Sequence, residues 1–187
     1  MSGAVNGGAE VVALHPGDLP LPRAPKRVAD ERGQPLFGVY QGALEHVDWK
    51  EATALERGGP LHHFLHHKKW QFVMLSTPEL LFSAVIVDLG YISNAWMFLA
   101  DLAAKTLPLQ RSFLALPKLS AKVGPAPAAG ARSSFRALGA RMDFARDGES
   151  SPFSFSARLG KRFRVDATLG PASSTPLTFL GPITHGG

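Results

Sequence analysis

LLFSAVIVDLGYISNAWMFLA, residues 80–100, is a run of 21 residues with a single charge, Asp88, and the architecture turns on whether it forms one helix or two strands. The run is long enough to cross a bilayer as a helix. A central Asp, however, costs about 2.5–3.5 kcal/mol on insertion scales, which the few tenths gained at each Leu, Ile, Val or Phe only partly offset. Gly90, Ser93 and Asn94 interrupt the run, and Pro78-Glu79 stand where a cationic anchor would be. The stretch therefore reads as two buried strands, 79–89 and 93–101, turning at Gly90-Tyr91-Ile92. The β-branched residues Val85, Ile86 and Val87 favour this. Another strand-like segment, 69–76, precedes it across a Thr77-Pro78 turn. Apolar residues on both parities imply that both faces of these strands are covered. A helix over about 93–104 is the alternative, because Ala95, Trp96, Leu99, Leu102 and Ala103 also fall at helical spacing.

Further along, parity speaks more clearly. From Phe153 the odd positions carry Phe155, Ala157, Leu159, Phe163 and Val165, while the even ones carry Ser154, Ser156, Arg158, Arg162 and Arg164. This is the period of half-buried strands, with phenylalanines in a core and arginines on the wet face. Both apolar faces point the same way only if the loop around Gly160, Lys161 and Arg162 holds an odd number of residues, most simply three.

With 187 residues, 45% hydrophobic and 19% charged, the chain has the composition of one globular domain, and 19 Gly with 15 Pro imply many turns. The absence of cysteine excludes disulfides, thiolate nucleophiles and cysteine-based metal sites. The net charge of +5 is unevenly placed: residues 1–34, 35–101 and 102–187 contribute 0, −3 and +8. Since the arginines fall on the polar parity of strands, the basicity reads as a solvated sheet face, and no nucleic-acid partner is expected. Residues 1–33 read as a flexible Gly/Ala/Pro-rich segment and 34–187 as the β-rich domain. Residues 117–132 read as an exposed connection. No secretory signal is visible in residues 1–22, which contain Pro16, Pro20 and Pro22, so a cytoplasmic location is the default expectation.

Two groups invite a chemical reading. His62, His63, His66 and His67 would form two i,i+4 pairs on a helix, but His63 stands where a zinc-hydrolase motif has its glutamate, and Gly58-Gly59-Pro60 leave little room for a helix. An exposed His-rich loop is favoured, with no metal site. Asp88 is the second group: an acid in an apolar strand needs a partner such as Lys68 or Lys69, or else it lines a pocket with Tyr91 and Asp101. There is no G-x-S-x-G elbow and no glycine-rich phosphate loop, and no cofactor is expected.

Residues 67–101, HKKWQFVMLSTPELLFSAVIVDLGYISNAWMFLAD, resemble the hallmark of the bacterial family of unknown function DUF 2804. The matching residues are Lys68, Lys69, Trp70 and Phe72, then Asp88, Leu89, Gly90 and Tyr91, then Trp96, Phe98 and Asp101. The family's β-rich pattern is similar to that of lipocalin-like proteins related to carotenoid hydratases, in which barrel-like halves enclose an apolar ligand. The resemblance also implies further strands beyond residue 187, so the chain reads as the amino-terminal part of a longer member.

Together these readings imply an all-β, mainly antiparallel fold, a lipocalin-like barrel or sandwich, incomplete and with little helix. Trp70, Phe72, Phe82, Trp96 and Phe98 are expected to line an apolar interior. The expected function is binding of an apolar or lipid-like small molecule, with Lys69, Trp70, Phe72, Trp96, Phe98 and Asp101 as ligand-binding residues. The alternatives are an enzyme acting on an apolar substrate, with Asp88 as acid or base and Tyr91 as donor, and a membrane-associated protein anchored through residues 80–100. Unpaired strand edges would favour self-association.

Overall fold

The computed structural model describes residues 20–55, 59, 61, 64–65, 67–170 and 175–182. Eleven strands are found there: β1 Gly38–Gln41, β2 Lys69–Ser76, β3 Leu80–Asp88, β4 Ser93–Asp101, β5 Thr106–Ala115, β6 Ala121–Val123, β7 Arg132–Ala137, β8 Ala140–Ala145, β9 Phe153–Leu159, β10 Phe163–Leu169 and β11 Leu177–Leu180. They build a four-stranded sheet, β2-β3-β4-β5, a five-stranded sheet, β10-β9-β8-β7-β6, and a β1-β11 ribbon, all with antiparallel pairing. The two larger sheets pack face to face as a sandwich and do not close into a barrel.

Residues 80–100 thus form two strands. The helical alternative over 93–104 gives way to β4, whose Ala95 and Met97 point into the core while Trp96 and Phe98 point away, as only a period of two allows. Among the described residues no helix is long and apolar enough to cross a membrane. The turn between β2 and β3 is held by Thr77, whose Oγ1 accepts Leu80 N–H at 2.9 Å while its own N–H donates to Leu80 O at 2.8 Å.

The core lies between the sheets. Val73, Phe82, Ala84, Ile86, Ala95 and Met97 face Ala121, Phe135, Met142, Phe144, Phe155 and Ala157. Phe155 is its centre, 4.8 Å from the Phe144 ring and 5.5 Å from that of Phe82. Two buried hydroxyls are satisfied: Ser83 Oγ donates to Val73 O at 3.3 Å, and Ser93 Oγ accepts Ala121 N–H at 3.2 Å, linking the sheets where β4 and β6 begin. That segment corrects the reading of 117–132 as an exposed connection. Ala121 and Ala131 are buried, because β6 pairs Ala121 with Phe135 and Val123 with Ser133 and so adds an edge strand to the five-stranded sheet.

The β9–β10 hairpin has the parity and the loop that the sequence requires. Leu159 pairs with Phe163, leaving the three residues 160–162 as the turn, with Phe155 and Ala157 buried and Arg158 and Arg164 exposed. Residues 20–33 lie against the β1-β11 ribbon, where Val28, Ala29, Leu44, Ala52 and Leu180 form a second, smaller cluster.

On the outer face of the five-stranded sheet, Asp143 accepts from Arg141 Nε at 2.8 Å and pairs with Arg136. Partial burial works against its charged form, but the hydrogen bonds from Arg141 and Arg136 and their positive charges outweigh it and hold the Asp143 carboxyl below its ordinary value. A depressed carboxyl pKa contributes stability above the unfolded value of 3.8 and loses it as pH falls through the folded one. Denaturation midpoints should therefore show Asp143→Asn less stable than the parent at pH 7, by at most about 1 kcal/mol for so exposed a group. The gap should begin to narrow as pH falls below 3.8 and close only as pH passes below the depressed folded value.

Candidate functional site

The outer face of the four-stranded sheet is where the aromatic residues collect. In register, Trp70, Val87, Asn94 and Leu114 form one row, Phe72, Val85, Trp96 and Ser112 the next, and Met74, Ser83, Phe98 and Gln110 a third. Trp96 and Phe98 stack with centroids 5.9 Å apart, and Phe72 is 6.2 Å from Trp96. Val85 lies directly between Phe72 and Trp96 and is buried beneath them.

This corrects the expectation of an interior lined by five aromatics. Phe82 alone points inward; Trp70, Phe72, Trp96 and Phe98 have the opposite parity. The second half of the double-apolar pattern is not covered by a layer of the described structure: Trp70 is 62% exposed, Met74 56% and Phe72 46%. A contiguous open apolar face is uncommon on a folded domain, which makes this one the candidate surface.

At the edge strand β2 this face meets a groove of about 220 Å³. Its walls are His67, Lys68, Lys69, Trp70 and Gln71 on one side, and Val47, Trp49 and the 123–127 segment on the other. The charged groups are Lys68 and Lys69, so the groove offers an apolar floor with a cationic rim. Within the second wall, Gly124 lies tight against the start of β7: its N–H donates to Arg132 O at 2.8 Å, and a Cβ there would come within 2.6 Å of the same oxygen. A second depression of about 420 Å³ shares Val47, Trp49 and Pro127 and runs on toward Arg146 and Leu177.

Asp88 and Tyr91 share the β3–β4 turn. Asp88 stands opposite Lys69 in register, and its Oδ1 accepts Gly90 N–H at 2.9 Å, which shapes the turn. Asp101 does not join them. It lies at the far end of β4, about 26 Å along the strand at 3.3 Å per residue. There its Oδ1 accepts Ala104 N–H at 2.8 Å and caps the β4–β5 turn. Of the histidines, His62, His63 and His66 lie outside the described residues; among the described residues no group of three or more His, Asp or Glu could hold a metal ion. Sequence reasoning missed Trp49, Val47 and the 123–127 wall, since only the tertiary fold brings these loops against β2.

The described residues thus form an antiparallel β-sandwich with one open aromatic face and a lysine-rimmed groove at its edge. The chain matches the family described as a domain of unknown function, DUF2804, over residues 22–186, and belongs to it. Comparison with curated proteins and with solved structures found no match.

Proposed function

We propose that this protein binds an apolar, lipid-like molecule bearing an anionic group. The apolar body would lie on Phe72, Trp96, Phe98 and Val85, with Trp70 at the rim and the charged end reaching round the edge of β2 to Lys68 and to Lys69, which has the opposite parity to Trp70 and lines the groove. The observation that carries this reading is the continuity of the open aromatic face with a groove whose charged rim is cationic. Aromatic and aliphatic surface supplies burial, and a few placed polar groups supply orientation, as in small-molecule sites generally. The enzyme alternative has less support, because Asp88 already has a turn-shaping hydrogen bond to Gly90 N–H.

Titration calorimetry with an eighteen-carbon fatty acid and with the corresponding alcohol tests the reading. The acid should bind more tightly, and Lys68→Glu/Lys69→Glu should weaken the acid by about tenfold, on the order of 1.4 kcal/mol, with little effect on the alcohol. Equal, weak binding of both by parent and variant would contradict it.

A further inference from the structure

At the opposite surface of the sandwich the register produces a second feature, independent of the proposed ligand. On the outer face of the five-stranded sheet Arg136 pairs with Arg141, Arg141 with Arg158, and Arg158 with Arg164. Four arginines from four neighbouring strands thus stand in one row, about 14 Å across at the usual strand spacing of about 4.8 Å. Like charges directly opposite one another are destabilising. Two carboxylates relieve the row in part: Asp143 takes Arg136 and Arg141, and Asp166 takes Arg164. Arg158, the third in the row, has no ion-pair or hydrogen-bond partner among the described residues.

The row lies beside one end of the sheet, where the β7–β8 and β9–β10 turns are held together by Gly160 N–H donating to Gly139 O at 2.7 Å. Lys161 and Arg162 sit in the second of these turns. The first carries Leu138 at its tip, fully exposed at 104%. Leu119 belongs to the same end, since Ser120 O accepts Arg136 N–H at 2.8 Å; it is 72% exposed, and nearby Leu116 is 66% exposed. The segments 116–120, 136–141 and 158–164 contain no acidic residue.

From this we infer that this end of the sandwich docks on an anionic phospholipid bilayer. Leu138 and Leu119 would enter the interface while the arginine row, Lys161 and Arg162 face the headgroups. Cations alone would suit any polyanion, but leucines presented at the tip of the same surface suit a partner with an apolar layer behind its charges. A nucleic-acid backbone has no use for them, and the outer face of this sheet offers no aromatic platform for bases. The mode is surface attachment, distinct from crossing the bilayer.

Co-sedimentation of the full chain with vesicles tests it. Binding is expected to vesicles of phosphatidylglycerol and phosphatidylcholine but not to phosphatidylcholine alone, and to weaken at 0.5 M salt as screening shortens to a few ångströms. Lys161→Glu/Arg162→Glu should lower the partition coefficient by at least about tenfold, given about fivefold per surface charge. Leu138→Asp, at a fully exposed turn position, should lower it severalfold with an unchanged melting temperature. Three results would overturn the inference: no difference between anionic and neutral vesicles, anionic binding untouched by Leu138→Asp, or tighter binding to duplex DNA that is likewise untouched by it.

Discussion

Replacing Phe155 with alanine is expected to cost about 3–5 kcal/mol, a large share of the stability of a domain this size. The ring is buried between the two sheets, touching Phe144 from its own sheet and Phe82 from the other. Removing it both returns apolar area to water and opens a void that neighbours from two different sheets cannot close together. Phe179 is the control: it is exposed on β11, and Phe179→Ala should change stability by no more than about 0.5 kcal/mol. Urea denaturation reads both. Equal effects of the two substitutions would mean that the sheets do not meet through Phe155.

Gly90→Ala should cost about 2–3 kcal/mol, more than a turn glycine usually does, because two penalties add. Its φ of +79° is a conformation that side-chain-bearing residues rarely adopt, and a Cβ would lie 2.4 Å from the carbonyl oxygen of Phe64. Relief would require moving backbone rather than a flexible side chain. Gly139 separates the two terms, since it has a similar φ of +73° with open space around it. Gly139→Ala should cost about 1 kcal/mol, the conformational part alone. If the two substitutions cost the same, the Phe64 backbone does not rest on the β3–β4 turn.

The strands were legible in the sequence wherever one face is buried and the other wet. Around Phe153–Leu159 and Phe163–Leu169, alternation gave parity, loop length and the outward arginines together. In β2, β3 and β4 both parities are apolar, so the pattern identified strands without saying which face meets the core. That ambiguity is why the pattern alone places Trp70, Phe72, Trp96 and Phe98 inside. The partner sheet selects the face: small residues such as Ala84 and Ala95 let β3 and β4 approach it, and the bulky aromatics take the other side. Ala121–Val123 was invisible for a different reason. Three residues among prolines and glycines are too short to show a period, and their strand character comes from pairing with β7.

For the candidate site, the sequence identified one wall of the groove, Lys68, Lys69 and Trp70, and the aromatic residues that continue from it. The opposite wall belongs to loops with no local signal. Asp88 stood out as a charge in an apolar strand, yet its position at the last residue of β3, opposite Lys69 and bonded to Gly90 N–H, is that of a turn former. The arginine row could not be read before the register was known, since its members are spaced by 5, 17 and 6 residues along the chain.

The claim that the outer aromatic face holds an apolar ligand is tested most directly by quenching with a dibrominated stearate. Heavy-atom quenching acts only on tryptophans in contact with the acyl chain, and Trp70 and Trp96 lie on this face. Saturable quenching of the parent is expected, reduced in Trp96→Phe and Trp70→Phe in proportion to each residue's emission and shifted to higher ligand concentration by Lys68→Glu/Lys69→Glu. Emission that stays unquenched throughout the titration, or quenching that is undiminished in the double variant Trp70→Phe/Trp96→Phe, in which only Trp49 on the groove wall still emits, would contradict it.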